Sequence, residues 1–471
     1  MWRLTRGGTA SDDSWTRRDW LQAGGLSALA LSLPDVLASA EVASPQASFG
    51  RARACLVIYL FGGPSHVDLW DMKPEAPEGF RGEFKPIATN VPGIRICEHL
   101  PRLARQADRY CLIRSMTHPH PRHGWGLYYM LTGKRHSRPD LDAPPTPDDF
   151  PGLGALVSRI GPKRRRTAPM AVTLPRWNRF NDLPNDYAGE KAGFVGSGHD
   201  PWLVKSLVGG QSFSLSELEL PLDVPPGRLA ERRDLLAAVD RRIGQWAETA
   251  REYSAVQARA YDLLGSRAVR AAFDLEQEPA RVRDRYGRHP FGQGLLVARR
   301  LVEAGTVLVQ VNWHDDGSDV KSPFWDTHKD NFNSLKKKLL PPLDESLSAL
   351  LDDLQQRGLL DSTLVLVMGE FGRTPRIGQV VMNAATDKAG RDHWPHAYTV
   401  LAAGGGIRGG KVHGASDNRA AYVTDDPVTP PDLQATLLHA LGIKSGAIIT
   451  DRQGRPRAAS DGTPVLRLFQ S

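Results

Sequence analysis

The 471-residue chain has only three cysteines, Cys55, Cys97 and Cys111, and no Cys-x-x-Cys pair. An odd, sparse set in a long chain excludes a disulfide framework and a zinc ribbon. Cys55 lies in a buried-strand pattern and reads as a small core residue. No apolar run reaches the roughly 18–25 residues that a bilayer-crossing helix needs, so no stable membrane span is expected. No basic stripe is interleaved with aromatics, which argues against nucleic acid as a partner. The net charge of +7 sits partly in short clusters such as Lys163-Arg164-Arg165-Arg166, and a cationic surface of that kind suits anionic substrates or polymers. The tract Gly404–Gly410 lacks the Lys-Ser/Thr of a phosphate-binding loop and reads as a mobile loop.

What is present is a regular alternation. Buried-strand runs occur at Ala54–Phe61, Tyr110–Arg114, Met170–Leu174, Thr306–Val311, Thr363–Met368 and Tyr398–Ala402. Helical patterns fall between them at Gly152–Ile160, Gly292–Ala304, Pro342–Arg357 and Pro431–Leu441. Near-continuous apolar strands alternating with helices predict a largely parallel sheet covered on both faces. Residues Arg228–Tyr286 read as a long helical region, in which Leu236, Val239, Ile243, Trp246, Ala250 and Tyr253 form an apolar seam. The first forty residues read as an export signal. Thr16-Arg17-Arg18-Asp19-Trp20-Leu21 resembles a twin-arginine motif, Gly24–Leu33 is a short apolar core, and Ala38-Ser39-Ala40 fits a cleavage site. That predicts export by the twin-arginine translocase to the periplasm or the exterior.

Polar groups gather where strands end. His66 and Asp68 follow the first strand, and Asp326 and His328 follow the strand at Thr306–Val311. Glu370 and Arg373 follow Thr363–Met368, and Asp392, His393 and His396 precede Tyr398. In open α/β sheets, ligands bind beyond the carboxyl ends of the strands. Imidazoles mixed with carboxylates suit zinc, manganese or iron better than calcium. A structural role is open for each residue taken singly: Asp326 as a helix cap, Glu370 paired with Arg373, His396 as a hydrogen-bonded core histidine. The tract from Ser115 to Gly124 adds three histidines, of which His123 stands at a helix start.

Four stretches carry a family resemblance: Phe61–Asp68, Trp325-Asp326-Thr327-His328, Gly369–Pro375 and Gly390–Pro395. The chain resembles the bacterial family known as domain of unknown function 1501, placed with the alkaline phosphatase and sulfatase superfamily. The resemblance implies a three-layer α/β/α sandwich with a central, mostly parallel sheet over residues 51–471, in which the loop-rich and helical stretch at 175–290 reads as an insertion. It implies one or two divalent ions at the C-terminal edge of the sheet. Asp68, Asp326, His328, Glu370 and His393 are the favoured ligands, with His66 and His396 as further candidates. The superfamily's nucleophile falls nine residues before the Thr of a Thr-Gly pair, and counting back from Thr132 reaches His123, in place of Ser, Thr or Cys. His123 is then a nucleophile, a general acid or a ligand, and Arg373 the clamp for an anionic group. The implied activity is hydrolysis of phosphate or sulfate esters, with an anionic ester or a sulfated or phosphorylated polymer as substrate. The alternatives are a non-catalytic cell-envelope protein that binds a polyanion through the same site, and a structural subunit assembling through the helical insertion.

Overall fold

A computed structural model describes residues 45–138, 144–162, 168–205, 266–313, 323–383 and 385–470, together with Glu231 and Leu235. The export signal, the Lys163–Arg166 cluster, the seam from Leu236 to Tyr253 and residues His314–Asp316 lie outside the described residues.

The core is an eight-stranded sheet. In chain order its strands are β1 (Ala54–Tyr59), β2 (Tyr110–Met116), β3 (Ala171–Leu174), β4 (Trp202–Leu203), β5 (Leu308–Asn312), β6 (Thr363–Met368), β7 (Tyr398–Ala403) and β8 (Lys411–His413). They lie side by side in the order β8-β2-β7-β6-β1-β5-β3-β4. Every pairing is parallel except those of β7, which runs against both β2 and β6. The fold is therefore α/β with a mostly parallel sheet, as its apolar runs require. Every residue of β1, β6 and β7 is buried, so both faces of the sheet are covered.

The helices supply that cover. They are α1 (His123–Thr132), α2 (Leu153–Ile160), α3 (Arg267–Phe273), α4 (Ala280–Tyr286), α5 (Pro290–Glu303), α6 (Leu340–Gln356) and α7 (Pro430–Ala440). Helix α5 packs on α6 and β5, α1 packs on α7, and α2 packs on β3. Proline opens α5 and α7, where its missing N–H costs nothing, and Thr429 with Asp432 forms a capping box on α7. Leu343, Leu347, Leu350, Leu351 and Leu354 bury one stripe of α6.

Three departures from the expected elements have clear causes. Within the stretch read as an insertion, Trp202 and Leu203 pair with Val172 and Thr173 as the edge strand of the main sheet. A two-residue strand is too short to show an apolar period. The described part of the long helical region is broken into α3 and α4, with Asp274 and Pro279 between them. Helices α3 and α4 both pack on α5. The Gly404 tract is packed rather than mobile: a Cβ on Gly404, whose φ is +62°, would lie 2.3 Å from the Thr363 carbonyl oxygen. Among the described residues no helix is long and apolar enough to cross a membrane.

The topology brings the loops of interest to one edge. Tyr59 lies beside both Asn312 and Met368, so the chain leaves β1, β5 and β6 at the same level. Because β7 is antiparallel, its start at Tyr398 sits beside Met116, the end of β2. Residues that precede β7 thus meet residues that follow the parallel strands. One buried ion pair fixes this edge. Asp68 accepts from Arg391 Nε at 2.8 Å and Nη2 at 3.0 Å, and also from Ser65 and Asn331. Arg391 further donates to the carbonyls of Thr374, Pro375 and Phe80. Both side chains of the pair are fully buried. Removing one partner leaves an uncompensated buried charge. Asp68→Ala is accordingly expected to lower the unfolding free energy by about 3–5 kcal/mol, read as a shift of the urea midpoint at unchanged slope.

Candidate metal centre

Four side chains from three loops converge at this edge. His123 is the first residue of α1 and follows β2; Asp326 and His328 lie beyond β5; His393 lies just before β7. All four are buried, and one potential ligand atom from each lies within 4.8 Å of all the others. The hub is Asp326 Oδ1. The Nε2 atoms of His328, His393 and His123 stand 2.9, 3.1 and 3.3 Å from it. His328 Nε2 and His393 Nε2 are 2.9 Å apart.

The outer ring nitrogens are all engaged. His123 Nδ1 donates to Glu370 Oε1 at 2.5 Å, and the same oxygen accepts the Gly62 N–H at 2.9 Å. His393 Nδ1 donates to the Pro121 carbonyl at 2.6 Å. His328 Nδ1 meets Thr386 Oγ1 at 2.9 Å, and that hydroxyl gives its own proton to the Asn383 carbonyl. Asp392 Oδ1 stands 3.4 Å from the same Nδ1. A carbonyl or carboxylate can only accept, so the Nδ1 atoms carry the protons and a neutral ring turns its Nε2 lone pair inward.

Metal-bound histidines are held in this way, with an outer acceptor on the other ring nitrogen. Inward lone pairs beside a carboxylate repel one another unless a proton or a metal cation lies among them. Tetrahedral Zn–N bonds of about 2.0–2.1 Å would separate ligand nitrogens by about 3.3 Å, close to the spacings here. The buried His123 Nε2 has no hydrogen-bond partner. The donor set of three imidazoles and one carboxylate therefore fits a single zinc, manganese or iron ion. Among the described residues it is one group of four, enough for one ion rather than two.

Charge in the cluster is arranged around Asp326. Burial alone would raise its pKa, but the Arg373 guanidinium and then His123 bring it well below the usual carboxylate range. Burial would lower the His123 pKa, but Asp326 and Glu370 outweigh it and hold it up at about 9. For His393, burial and the neighbouring His123 charge bring the pKa down to about 3. Without metal, His123 thus carries a positive charge at neutral pH.

The other candidate residues lie elsewhere or play other parts. Asp68 sits in the ion pair with Arg391 and not in the cluster. His66 Nε2 bonds the Ala420 carbonyl at 2.9 Å, and its ring lies against Gly372, where a Cβ would come 2.3 Å from Nδ1. His396 is only half-buried and packs between Trp394 and Tyr422. Glu370 supports His123 instead of joining the four, and it does not pair with Arg373. Asp326 caps no helix, since the next one starts after Asp330. Arg373 is fully buried and donates to the carbonyls of Gly62, Gly63, Trp325 and Arg391 as well as to Asp326. Its fork is occupied by the protein, so it is not free to clamp an anion. Sequence reasoning missed Arg391, Thr386 and the Pro121 carbonyl, because hydrogen bonds between distant loops leave no periodicity to read.

A family model described as "Protein of unknown function (DUF1501)" matches residues 52–469. No curated protein matches the chain by sequence. Among solved structures, the chain is similar to the phosphonate monoester hydrolase SpPMH from Silicibacter pomeroyi, at 12% identity over 87% of this chain and 75% of that one, with a TM-score of 0.40. It is similar to the PsFucS1 sulfatase from Pseudoalteromonas sp., at 12% identity over 93% and 75% of the two chains, with a TM-score of 0.38. A third is the lipoteichoic acid synthase LtaP from Listeria monocytogenes, at 12% identity over 90% and 79%, with a TM-score of 0.37.

The raised His123 pKa has a consequence for stability. A group whose pKa is higher folded than unfolded stabilises the fold below its unfolded pKa, near 6.5, and that contribution disappears as pH rises through the folded value. For chelator-treated protein, the urea midpoint is expected to fall between pH 6.5 and about 9. The fall should be much smaller in Glu370→Gln/Asp326→Asn protein, which lacks the carboxylates that raise it. An unchanged midpoint in the wild type across that window would contradict this charge assignment.

Proposed function

This chain belongs to the DUF1501 family, and on that premise we propose that it is an exported, metal-dependent hydrolase of phosphate or sulfate esters. One divalent transition metal would be held by His123, Asp326, His328 and His393. The observation that carries this reading is the convergence of three Nε2 atoms on Asp326 Oδ1 while the outer ring nitrogens are tied to Glu370, Pro121 and Thr386. When bound, such an ion supplies a Lewis acid for the ester oxygens and an activated water at neutral pH. Glu370 keeps the His123 proton on Nδ1, and Asp392 and Thr386 orient His328. In this reading His123 is a ligand, and Arg373 holds the loops that carry the ligands. The ester class rests on the motif resemblance and on the net charge of +7. Export, to the periplasm or the exterior, rests on the twin-arginine motif at Thr16–Leu21 and its flanking segments.

One observation favours a second reading, a non-catalytic protein in which the metal is structural. Four protein ligands complete a tetrahedral shell, and closed shells are the habit of structural sites. Arg373 also shares the Asp326 oxygen, at 2.5 Å.

Protein purified without chelator or histidine tag is expected to carry about one equivalent of transition metal, lost in Asp326→Ala/His328→Ala. Turnover of aryl phosphates or sulfates should disappear with it. A correctly folded chain that takes up no zinc, manganese or iron would sink the metallohydrolase, whereas metal without turnover leaves the structural reading. Glu370→Gln, which weakens the support of His123, should reduce metal affinity by about 10–100-fold, measured by chelator competition.

A further inference from the structure

At the opposite edge of the sheet is a second charged site. The turn Ala107–Arg109 leads into the start of β2, and His123 follows the end of that strand. A seven-residue strand spans about 20 Å, so the two edges are well separated. Between this turn, the short helix Pro101–Ala104, α4 and the middle of α6 opens a cleft of about 410 Å³. Arg102, Arg105, Arg109 and Arg285 line it, against a single carboxylate, Asp352.

Part of that charge is uncommitted. Arg105 is exposed and makes no side-chain hydrogen bond or salt bridge with the described residues, although it feels Asp344 through space. Arg285 reaches Asp353 only at 3.8 Å and Gln356 at 3.4 Å, and its buried Nε–H has no partner. Arg102 meets Glu345 at 3.5 Å with both side chains partly exposed, a contact worth little. Arg109 is paired with Asp352. On the floor of the cleft, Gln106 is 7% exposed; its amide N–H₂ is given to the Ser348 carbonyl and its buried Oε1 has no partner. That oxygen is an acceptor awaiting a hydroxyl or N–H. The backbone N–H groups at the start of the short helix are already taken by Asp344, so recognition falls to side chains.

We propose that this cleft binds the sulfate or phosphate groups of a polyanionic chain, independently of the metal centre and of whether that centre is catalytic. Guanidinium forks match tetrahedral oxyanions in a bidentate way. Spare guanidinium donors on separate elements suit several anionic groups along one polymer. The Gln106 acceptor suits a hydroxyl beside them, as on a sugar or a polyol. A cationic anchor of this kind would hold a polymer on the face opposite the metal.

The test compares Arg105→Ser/Arg285→Ser with Arg452→Ser/Lys444→Ser, which removes the same two charges from exposed positions elsewhere. Binding to heparin, a sulfated chain, and to polyphosphate is measured by anisotropy at several salt concentrations. The cleft variant is expected to bind one or both polymers about tenfold or more weakly than the control variant, as loss of charged hydrogen bonds predicts, with a shallower salt dependence. Which polymer shows the loss identifies the anion. Equal binding by the two variants to both polymers overturns the proposal. Should the double variant fail to fold, Arg105→Ala against Arg452→Ala asks the same question with an exposed, unpaired side chain. Metal content is expected to stay at the wild-type value in every variant.

Discussion

The guanidinium of Arg373, buried beyond the end of β6, donates to carbonyls of Gly62 and Gly63 after β1, Trp325 after β5 and Arg391 before β7, and to the Asp326 carboxylate. Three connections distant in sequence, those that follow β1, β5 and β6, are tied by one cation. Burying a charge so deeply is costly unless its donors are satisfied, and here backbone carbonyls and one carboxylate satisfy them. The arrangement leaves little freedom in how the loops approach one another. Gly62 shows how close they come: its φ is +112°, and a Cβ there would lie 2.5 Å from the Asp326 backbone nitrogen. The placement of Asp326, and hence of the imidazoles around it, depends on that contact.

A second cation repeats the device one layer outward. Arg391 binds Asp68 and three carbonyls, so the loop carrying His393 is anchored immediately before the histidine itself. Asp392 holds the preceding turn by accepting the N–H groups of Val381, Met382 and Asn383. Asn383 in turn orients Thr386 toward His328. Each imidazole in the cluster is therefore held from behind by a loop other than its own. This support is what gives three rings at one carboxylate a defined direction, and a defined direction is what a metal centre demands of its ligands.

The two charged sites answer different chemical needs. At the C-terminal edge, nearly every donor is spoken for inside the protein, and what remains is a set of inward lone pairs. At the other edge, guanidinium groups remain partly unpaired and face solvent. Inward imidazole lone pairs beside a carboxylate suit a cation, and a cluster of partly unpaired guanidinium groups suits an oxyanion, so the two sites are of opposite sense.

The strands were legible in the sequence because apolar runs such as Thr363–Met368 and Ala54–Tyr59 must be buried on both faces, and that burial implies a parallel sheet with its ligand loops at one edge. The same logic brought Asp326, His328 and His393 together as candidates, since each flanks a strand at that edge, and it put His123 at a helix start. It could not separate ligands from supports. Asp68 and His66 flank a strand just as Asp326 does, yet one is neutralised by Arg391 and the other bonds a carbonyl of Ala420. Glu370 and Arg373, adjacent in one motif, turn to different partners. Strand order and the reversal of β7 set those partnerships, because they decide which loops meet. Hydrogen bonds that span about 250–320 residues are a property of the packed edge, and no local pattern encodes them.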